Sequence, residues 1–131
     1  MSTVDLTLET FDDTIRDNEI VLVDFWAEWC GPCRSFAPTY SSVSEDNPDI
    51  VFAKVDTEDQ QQLAGAFGIR SIPTLMIFRD QVLLYSQPGA LPRSALDDLI
   101  GQVRELDMDD VRRQIAEHDE HAPADRSQQN Q

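Results

Sequence analysis

Cys30 and Cys33 are the residues of this chain best suited to chemistry, and they are its only cysteines. Two thiols separated by two residues can close a small disulfide or supply half of a zinc site. A zinc site needs four ligands, and the two histidines, His118 and His121, lie far downstream at a spacing that fits no zinc-finger pattern. A purely structural disulfide is disfavoured, because closing so short a loop removes little entropy from the unfolded chain. The pair is therefore predicted to be redox-active.

The sequence on either side of the pair predicts a strand that turns into a helix. Residues 20–26 (Ile-Val-Leu-Val-Asp-Phe-Trp) form an apolar run long enough for a buried strand. After the pair, apolar side chains recur at helical spacing at Phe36, Tyr40 and Val43. The two cysteines are thus expected where the strand ends and the helix begins.

This turn should give the two thiols different environments. Gly31 tolerates the turn, and Pro32 suits the first helical position, where an N–H would have no intrahelical partner. Cys30 then lies at the N-terminus of the helix, where free backbone N–H groups and the helix dipole favour a thiolate. Cys33 lies one turn further in. We expect Cys30 to be the exposed thiol that attacks substrates and Cys33 to be shielded.

Residues 23–33 (Val-Asp-Phe-Trp-Ala-Glu-Trp-Cys-Gly-Pro-Cys) resemble the active-site segment of the thioredoxin family. The resemblance continues through residues 69–74 (Ile-Arg-Ser-Ile-Pro-Thr) and ends near Leu106. It implies an α/β thioredoxin fold, in which a central mixed sheet of parallel strands plus an antiparallel C-terminal hairpin carries helices on both faces. It also implies a protein-disulfide reductase that works by dithiol–disulfide exchange, with the redox-active Cys30–Cys33 disulfide and no bound cofactor.

The same resemblance implies two kinds of partner: protein disulfides as substrates, and an NADPH-dependent thioredoxin reductase that regenerates the dithiol. We expect a monomer without a metal. Two alternatives use the same fold. A disulfide isomerase or oxidant usually has a different dipeptide between its cysteines, so Gly31 and Pro32 argue for a reductase. A non-enzymatic binding module has no use for the dithiol and a buried acid, and both are retained here.

The hydrophobic pattern predicts alternating strands and helices. Strands are expected at residues 3–8, 20–27, 51–55, 74–79 and 82–86, and helices at 10–16, 33–46, 63–67 and 92–106. The alternation in the first half calls for parallel strands with helical crossovers. Only Asp80 and Gln81 separate the last two strands, so these must form an antiparallel hairpin. Gln81 stands where such turns favour glycine, which leaves a strained turn or a longer one.

Residues 1–106 are interpreted as one thioredoxin domain and residues 107–131 as a C-terminal extension. Asp107 can cap a short helix that carries Met108, Val111 and Ile115 on one stripe. We expect this stripe to pack back on the domain or to fray rather than to bind a partner. After His118 the chain is polar and is expected to be disordered.

The charge balance argues against several classes of partner. The formal net charge is −15, from 25 acidic and 10 basic residues distributed along the whole chain. So negative a field disfavours binding to nucleic acid or to an anionic membrane and favours solubility. No apolar run reaches membrane-spanning length, and the first residues lack the basic and apolar segments of a secretory signal. A cytoplasmic location is expected, and a reducing cytosol suits a catalytic cysteine pair.

Two charged residues interrupt the buried strands near the cysteines. Asp24 lies six residues before Cys30, and Lys54 lies in the middle of the run Val-Phe-Ala-Lys-Val-Asp. If their strands are neighbours, the charges can meet as a structural ion pair or as part of the catalytic machinery. Burial should raise the pKa of Asp24, which suits a proton acceptor for the second thiol. The resemblance implies this catalytic role, because both residues fall where the family has its buried acid and accompanying lysine.

The resemblance also implies a shallow apolar rim that binds substrate around Cys30. On its own, Pro73 is an ordinary turn proline, for which trans is the usual state. In the family this proline is cis and packs beside the dithiol, and the Ile72 backbone would hydrogen-bond to an extended substrate. Pro88 departs from the small aliphatic residue of many relatives. The rim residues are then Trp29, Gly31, Pro32, Ile72, Pro73, Gly89 and Ala90. Trp26 is expected to be a core aromatic that also shields the site.

Overall fold

The computed structural model describes residues 2–129, with side chains as far as His118. Within these residues the strands are β1 (Thr3–Asp5), β2 (Ile20–Trp26), β3 (Val51–Asp56), β4 (Thr74–Arg79) and β5 (Val82–Pro88). The helices are α1 (Leu8–Asp17), α2 (Gly31–Asp46), α3 (Gln61–Ala66), α4 (Arg93–Glu105) and α5 (Met108–Gln129). None of the described helices is long and apolar enough to cross a membrane.

The strands form one mixed sheet in the order β1-β3-β2-β4-β5, so β2 is its central strand. β3 pairs in parallel with β1 and β2, whereas β4 pairs antiparallel with β2 and β5. The predicted mixed sheet with an antiparallel C-terminal hairpin is confirmed. Because β4 runs against β2, the end of β2 and the start of β4 lie at the same edge of the sheet, with Phe25 opposite Thr74.

Alternating side chains of the sheet build a core on each of its faces. The core on one face includes Ile20, Leu22 and Phe52 of the sheet with Phe36, Tyr40 and Leu96 of α2 and α4. The other core includes Val21, Val23 and Phe25 with Phe11 and Leu63 of α1 and α3. The predicted helices on both faces are therefore confirmed. β2 contributes side chains to both cores, and none of its residues from Val21 to Phe25 is more than 1% exposed.

Two boundaries near the N-terminus differ from the prediction. β1 ends at Asp5 rather than at residue 8, and α1 begins at Leu8 rather than at residue 10. Thr7 is the N-cap residue of α1: its backbone N–H donates to Thr10 Oγ1 at 2.9 Å, and its carbonyl accepts from the Phe11 N–H at 3.0 Å. These capping contacts end the strand where the alternating pattern alone would continue it.

The hairpin turn between β4 and β5 is two residues long despite its missing glycine. Arg79 pairs with Val82, so no extra residue is inserted. Asp80 and Gln81 have φ angles of 51° and 69°, the left-handed values that a type I′ turn requires at both central positions. The turn is therefore the strained one of the two alternatives, because side chains other than glycine rarely adopt this conformation.

The C-terminal extension begins with a helix, α5. α5 starts as expected, with the Asp110 N–H donating to Asp107 Oδ1 at 3.2 Å, and Met108 packs into the domain at 6% exposure. α5 continues to Gln129, and the side chains after His118 lie outside the described ones. The disorder expected after His118 stays a prediction. Residues 130 and 131 lie outside the described residues.

Candidate active site

Cys30 and Cys33 form a disulfide between β2 and α2, with Cα atoms 5.2 Å apart. Cys30 is the N-cap residue of α2, and its Sγ accepts a hydrogen bond from the Cys33 N–H at 3.2 Å. Pro32 occupies the second helical position rather than the first, because the helix begins at Gly31. The Cys30 sulfur thus receives an N–H of the helix N-terminus, an arrangement that stabilises its thiolate once the disulfide is reduced.

The expected difference in exposure between the two cysteines is absent. Cys30 is 3% exposed and Cys33 is 2% exposed, so the prediction of an exposed Cys30 is wrong. The pair packs with Ala27 and with the partly buried Trp26 and Ile72. The carbonyl oxygen of Ile72 lies 3.6 Å from Cys30 Sγ, a contact across 42 positions of sequence that the local pattern does not reveal. What distinguishes the two sulfurs is this contact, together with the N–H that Cys30 Sγ accepts, rather than the exposed fraction.

The peptide bond between Ile72 and Pro73 is cis, as the resemblance implied. Pro73 is buried, Ile72 is half-buried, and both directly precede β4. The Gly89 N–H donates to the Pro73 carbonyl at 2.8 Å, and Gly89 has a φ angle of 111° that favours glycine. The structure therefore brings Ile72, Pro73 and Gly89 to the edge of the sheet where Cys30 lies.

The other rim residues, Trp29, Gly31, Pro32 and Ala90, are all exposed. Trp29 is 66% exposed, more than any other large apolar side chain that the structure describes. An indole so accessible is typical of a residue that contacts a partner. Next to the rim lies a cavity of about 220 Å³, lined by residues 67–71, Thr74, Ser86 and Pro88. Pro88 thus shapes the boundary of this cavity opposite Thr74.

Asp24 is a buried carboxyl group without a hydrogen-bonding partner. It is 1% exposed, and neither of its oxygens has a partner among the described residues. Burial raises the pKa of Asp24 to about 7, and the positive charge of Lys54 opposes this rise by a smaller amount. Tyr40 of α2 is also buried, but its hydroxyl donates to the Ala53 carbonyl at 2.8 Å. Asp24 is therefore able to gain or lose a proton near neutral pH.

Lys54 is the ladder neighbour of Asp24 in the parallel pairing of β2 with β3. The ion pair considered from the sequence is not formed, because both oxygens of Asp24 lack a partner. The Lys54 ammonium instead lies over the ring of Trp26, with Nζ 4.6 Å from the ring centroid. Trp26 shares a face of β2 with Asp24, since alternate residues of a strand point the same way.

Sequence reasoning missed the contact between Trp26 and Lys54 and the proximity of Tyr40 to Asp24. The Asp24 charge is one of the causes that raise the pKa of Tyr40. The sequence offered one signal of the first contact: residues 24 and 26 alternate in β2, so their side chains lie on the same face of the strand. No group of three or more potential metal ligands occurs among the described side chains, and that of His121 lies outside them.

Comparison with known proteins agrees with this geometry. The family model Thioredoxin matches residues 2–102. A putative thioredoxin 2 of Streptomyces coelicolor is 66% identical over 116 residues, which cover 88% of this chain and 87% of that protein. Thioredoxin 1 of Synechococcus elongatus is 44% identical over 93 residues, which cover 70% of this chain and 87% of that protein.

Solved structures agree as well. The structure of a mutant thioredoxin from Halobacterium salinarum matches with a TM-score of 0.73 at 38% identity, covering 79% of this chain and 91% of that one. A thioredoxin structure from Plasmodium falciparum matches with a TM-score of 0.70 at 36% identity, covering 76% of this chain and 97% of that one. The chain therefore belongs to the thioredoxin family and is a thiol–disulfide oxidoreductase that acts through its own cysteine pair.

Proposed function

We propose that Cys30 attacks the substrate disulfide and forms a mixed disulfide with the substrate, and that Cys33 then resolves this mixed disulfide. The Cys30 thiolate attacks one substrate sulfur, and the other leaves as a thiolate that takes up a proton from water. Cys33 then loses its proton and attacks Cys30 Sγ, which closes the Cys30–Cys33 disulfide and releases the second substrate thiolate. Two electrons pass from the dithiol to the substrate. The observation that carries this assignment is the helix N–H that Cys30 Sγ accepts at 3.2 Å.

We infer that Asp24 accepts the Cys33 proton in the second step and that Lys54 adjusts the charge of this carboxyl. A proton acceptor works best when its pKa lies near the working pH, and burial brings the pKa of Asp24 to about 7. Both oxygens of Asp24 are without partners, which leaves them available for a proton. These features support the catalytic interpretation over a structural ion pair.

The proposed substrate surface is the rim around Cys30. A backbone carbonyl at Ile72 next to the attacking sulfur suits recognition of an extended substrate through main-chain hydrogen bonds. Such bonds depend little on the substrate's side chains, which fits a reductase with many protein substrates. The other proposed members of this surface are Trp29, Gly31, Pro32, Pro73, Gly89 and Ala90.

Thioredoxins act on protein disulfides and are reduced by a thioredoxin reductase. We propose that the reductase of this chain uses NADPH, and that the chain works as a monomer in the cytoplasm. A net charge of −15 disfavours self-association, and a reducing compartment suits a dithiol donor. We also assign catalysis to residues 1–106 alone, because every proposed site residue lies between Asp24 and Ala90.

Insulin reduction coupled to NADPH and a thioredoxin reductase tests the proposal. The wild type should turn over, and Cys30→Ser and Cys33→Ser should not. After incubation with insulin, mass spectrometry should find a mixed disulfide on Cys30 of the Cys33→Ser variant. A mixed disulfide on Cys33 of the Cys30→Ser variant would reverse the two roles. Equilibration with glutathione tests the alternative: a strongly oxidising pair would indicate an isomerase or oxidant instead.

A further inference from the structure

The Lys54 side chain has two places where its charge can be held. Its ladder neighbour Asp24 offers a carboxylate, and Trp26, two residues along the same strand, offers the face of an indole ring. In the structure the ammonium is on the ring, 4.6 Å from the centroid, and neither Asp24 oxygen has a partner. The lysine that pairs with Asp24 in the ladder thus has its ammonium held by a different residue.

We propose that Trp26 is a positioning residue that keeps Lys54 from forming an ion pair with Asp24. The importance of this for catalysis rests on the proposed role of Asp24 as a proton acceptor. A lysine hydrogen-bonded to Asp24 would favour the ionised carboxylate and would occupy an oxygen that the proton needs. With the ammonium on the indole ring, Lys54 acts on Asp24 only through space, and both oxygens remain available.

Physical reasons favour the ring over the carboxylate. Lys54 is half-buried, so an ammonium over Trp26 can keep part of its contact with water. Beside Asp24, which is 1% exposed, the ammonium would lose that water, and desolvation often outweighs the attraction within a buried ion pair. Tryptophan is also the side chain whose ring attracts a cation most strongly. Removal of the ring therefore takes away the competitor of the ion pair.

Few other groups can disturb the carboxyl. α2 contributes Tyr40, whose hydroxyl is bound to the Ala53 carbonyl and whose raised pKa keeps it neutral. β4 places Leu75 opposite Asp24, which adds no charge. Among the described residues, Lys54 is the cation that lowers the pKa of Asp24. The cysteines do not titrate in the disulfide form. In oxidised protein, the measured pKa of Asp24 is therefore free of any contribution from their ionisation.

A double-mutant cycle on the oxidised full chain tests the proposal. The pKa of Asp24 is measured from its side-chain carboxyl ¹³C shift in the wild type, Trp26→Leu, Lys54→Met and the double variant. Trp26→Leu should let Lys54 pair with Asp24 and lower that pKa by about 1–3 pH units. Lys54→Met should raise it. In the double variant the lowering caused by Trp26→Leu should be absent.

Two results would overturn the proposal. One is a pKa of Asp24 that stays the same or rises in folded Trp26→Leu. The other is an equal fall with and without Lys54, which would mean that water entering the space of the indole, rather than the lysine, changes the carboxyl. If Trp26→Leu does not fold, Trp26→Phe takes its place in the cycle and should give a smaller fall that again requires Lys54.

Phe67→Leu is the matched control, because it removes an aromatic ring that packs on Phe11 and Phe25 at the opposite face of the sheet. It should leave the pKa of Asp24 unchanged, and a change like that of Trp26→Leu would count against the proposal. The catalytic role of Asp24 is judged separately. If the cycle behaves as expected but Asp24→Asn resolves mixed disulfides at the wild-type rate, the positioning role stands and the proton-acceptor role fails.

Discussion

Asp24→Asn should change how the stability of the oxidised protein depends on pH. Burial raises the pKa of Asp24 from its ordinary value of 3.8 to about 7 in the folded chain. The folded state therefore keeps this proton over a range in which the unfolded chain has lost it. A pKa difference of this size lowers the free energy of unfolding by about 4 kcal/mol between roughly pH 4 and pH 8, at about 1.4 kcal/mol per pH unit.

The sign of the effect follows from the raised pKa. The stabilisation from the proton on Asp24 is fully present below pH 3.8 and is lost as the pH rises through about 7. Asparagine does not titrate, so the variant lacks this loss. Its amide would be as poor in partners as the carboxyl it replaces, which costs about 1–3 kcal/mol at every pH. The variant should therefore be the more stable protein at alkaline pH, and the curve of the difference against pH is the diagnostic quantity.

Urea denaturation followed by tryptophan fluorescence, repeated across this pH range on oxidised protein, measures the difference directly. All other carboxyl groups are common to both proteins and cancel in the difference curve. Asp12→Asn, at an exposed position of α1, is the control and should stay parallel to the wild type. Parallel curves for the wild type and Asp24→Asn would refute the raised pKa, whichever protein proves more stable.

The cysteine pair, the extension and the hairpin each give a further expected outcome. Alkylation of the reduced wild type at neutral pH should label Cys30 faster than Cys33, since Cys30 Sγ accepts the helix N–H; faster labelling of Cys33 would contradict the assignment. Deletion of residues 107–131 should leave insulin reduction nearly unchanged, and a loss of roughly tenfold in a folded truncation would give the extension a catalytic role. Gln81→Gly should raise the free energy of unfolding by about 1 kcal/mol, because glycine adopts the positive φ angle without strain. Gln102→Gly in α4, the control, should lower the free energy of unfolding by about as much. If both variants lowered the free energy of unfolding equally, the turn would not be strained.

Much of the site could be predicted from patterns among residues close together in the sequence. A strand-length apolar run followed by helical spacing placed Cys30 at the start of α2, and a carboxyl inside that run identified Asp24 as a buried acid. Each of these inferences needs only residues close together in the chain. The family resemblance supplied what local patterns lack, notably the cis bond before Pro73, because an isolated X-Pro pair favours trans.

What the sequence did not reveal depends on contacts between distant segments. Ile72 lies 42 positions from Cys30 in the sequence, yet its carbonyl oxygen is 3.6 Å from Cys30 Sγ. Lys54 contacts Trp26 rather than Asp24 because an ammonium over the ring keeps part of its contact with water, and hydrophobic periodicity carries no information on that preference.

The place of Ile72 and β4 in the sequence, after β2, α2 and β3, also determines when the two cysteines become buried during synthesis. The ribosome releases β2, the cysteines, α2 and β3 first, and these segments can already form a parallel pair with a helix against it. Ile72 and β4 emerge later, and Gly89 later still. A nascent chain therefore carries both thiols before it carries the loop at Ile72 that contacts Cys30. Until that loop emerges, the fold does not protect the thiols from unwanted oxidation, and only a reducing environment does so.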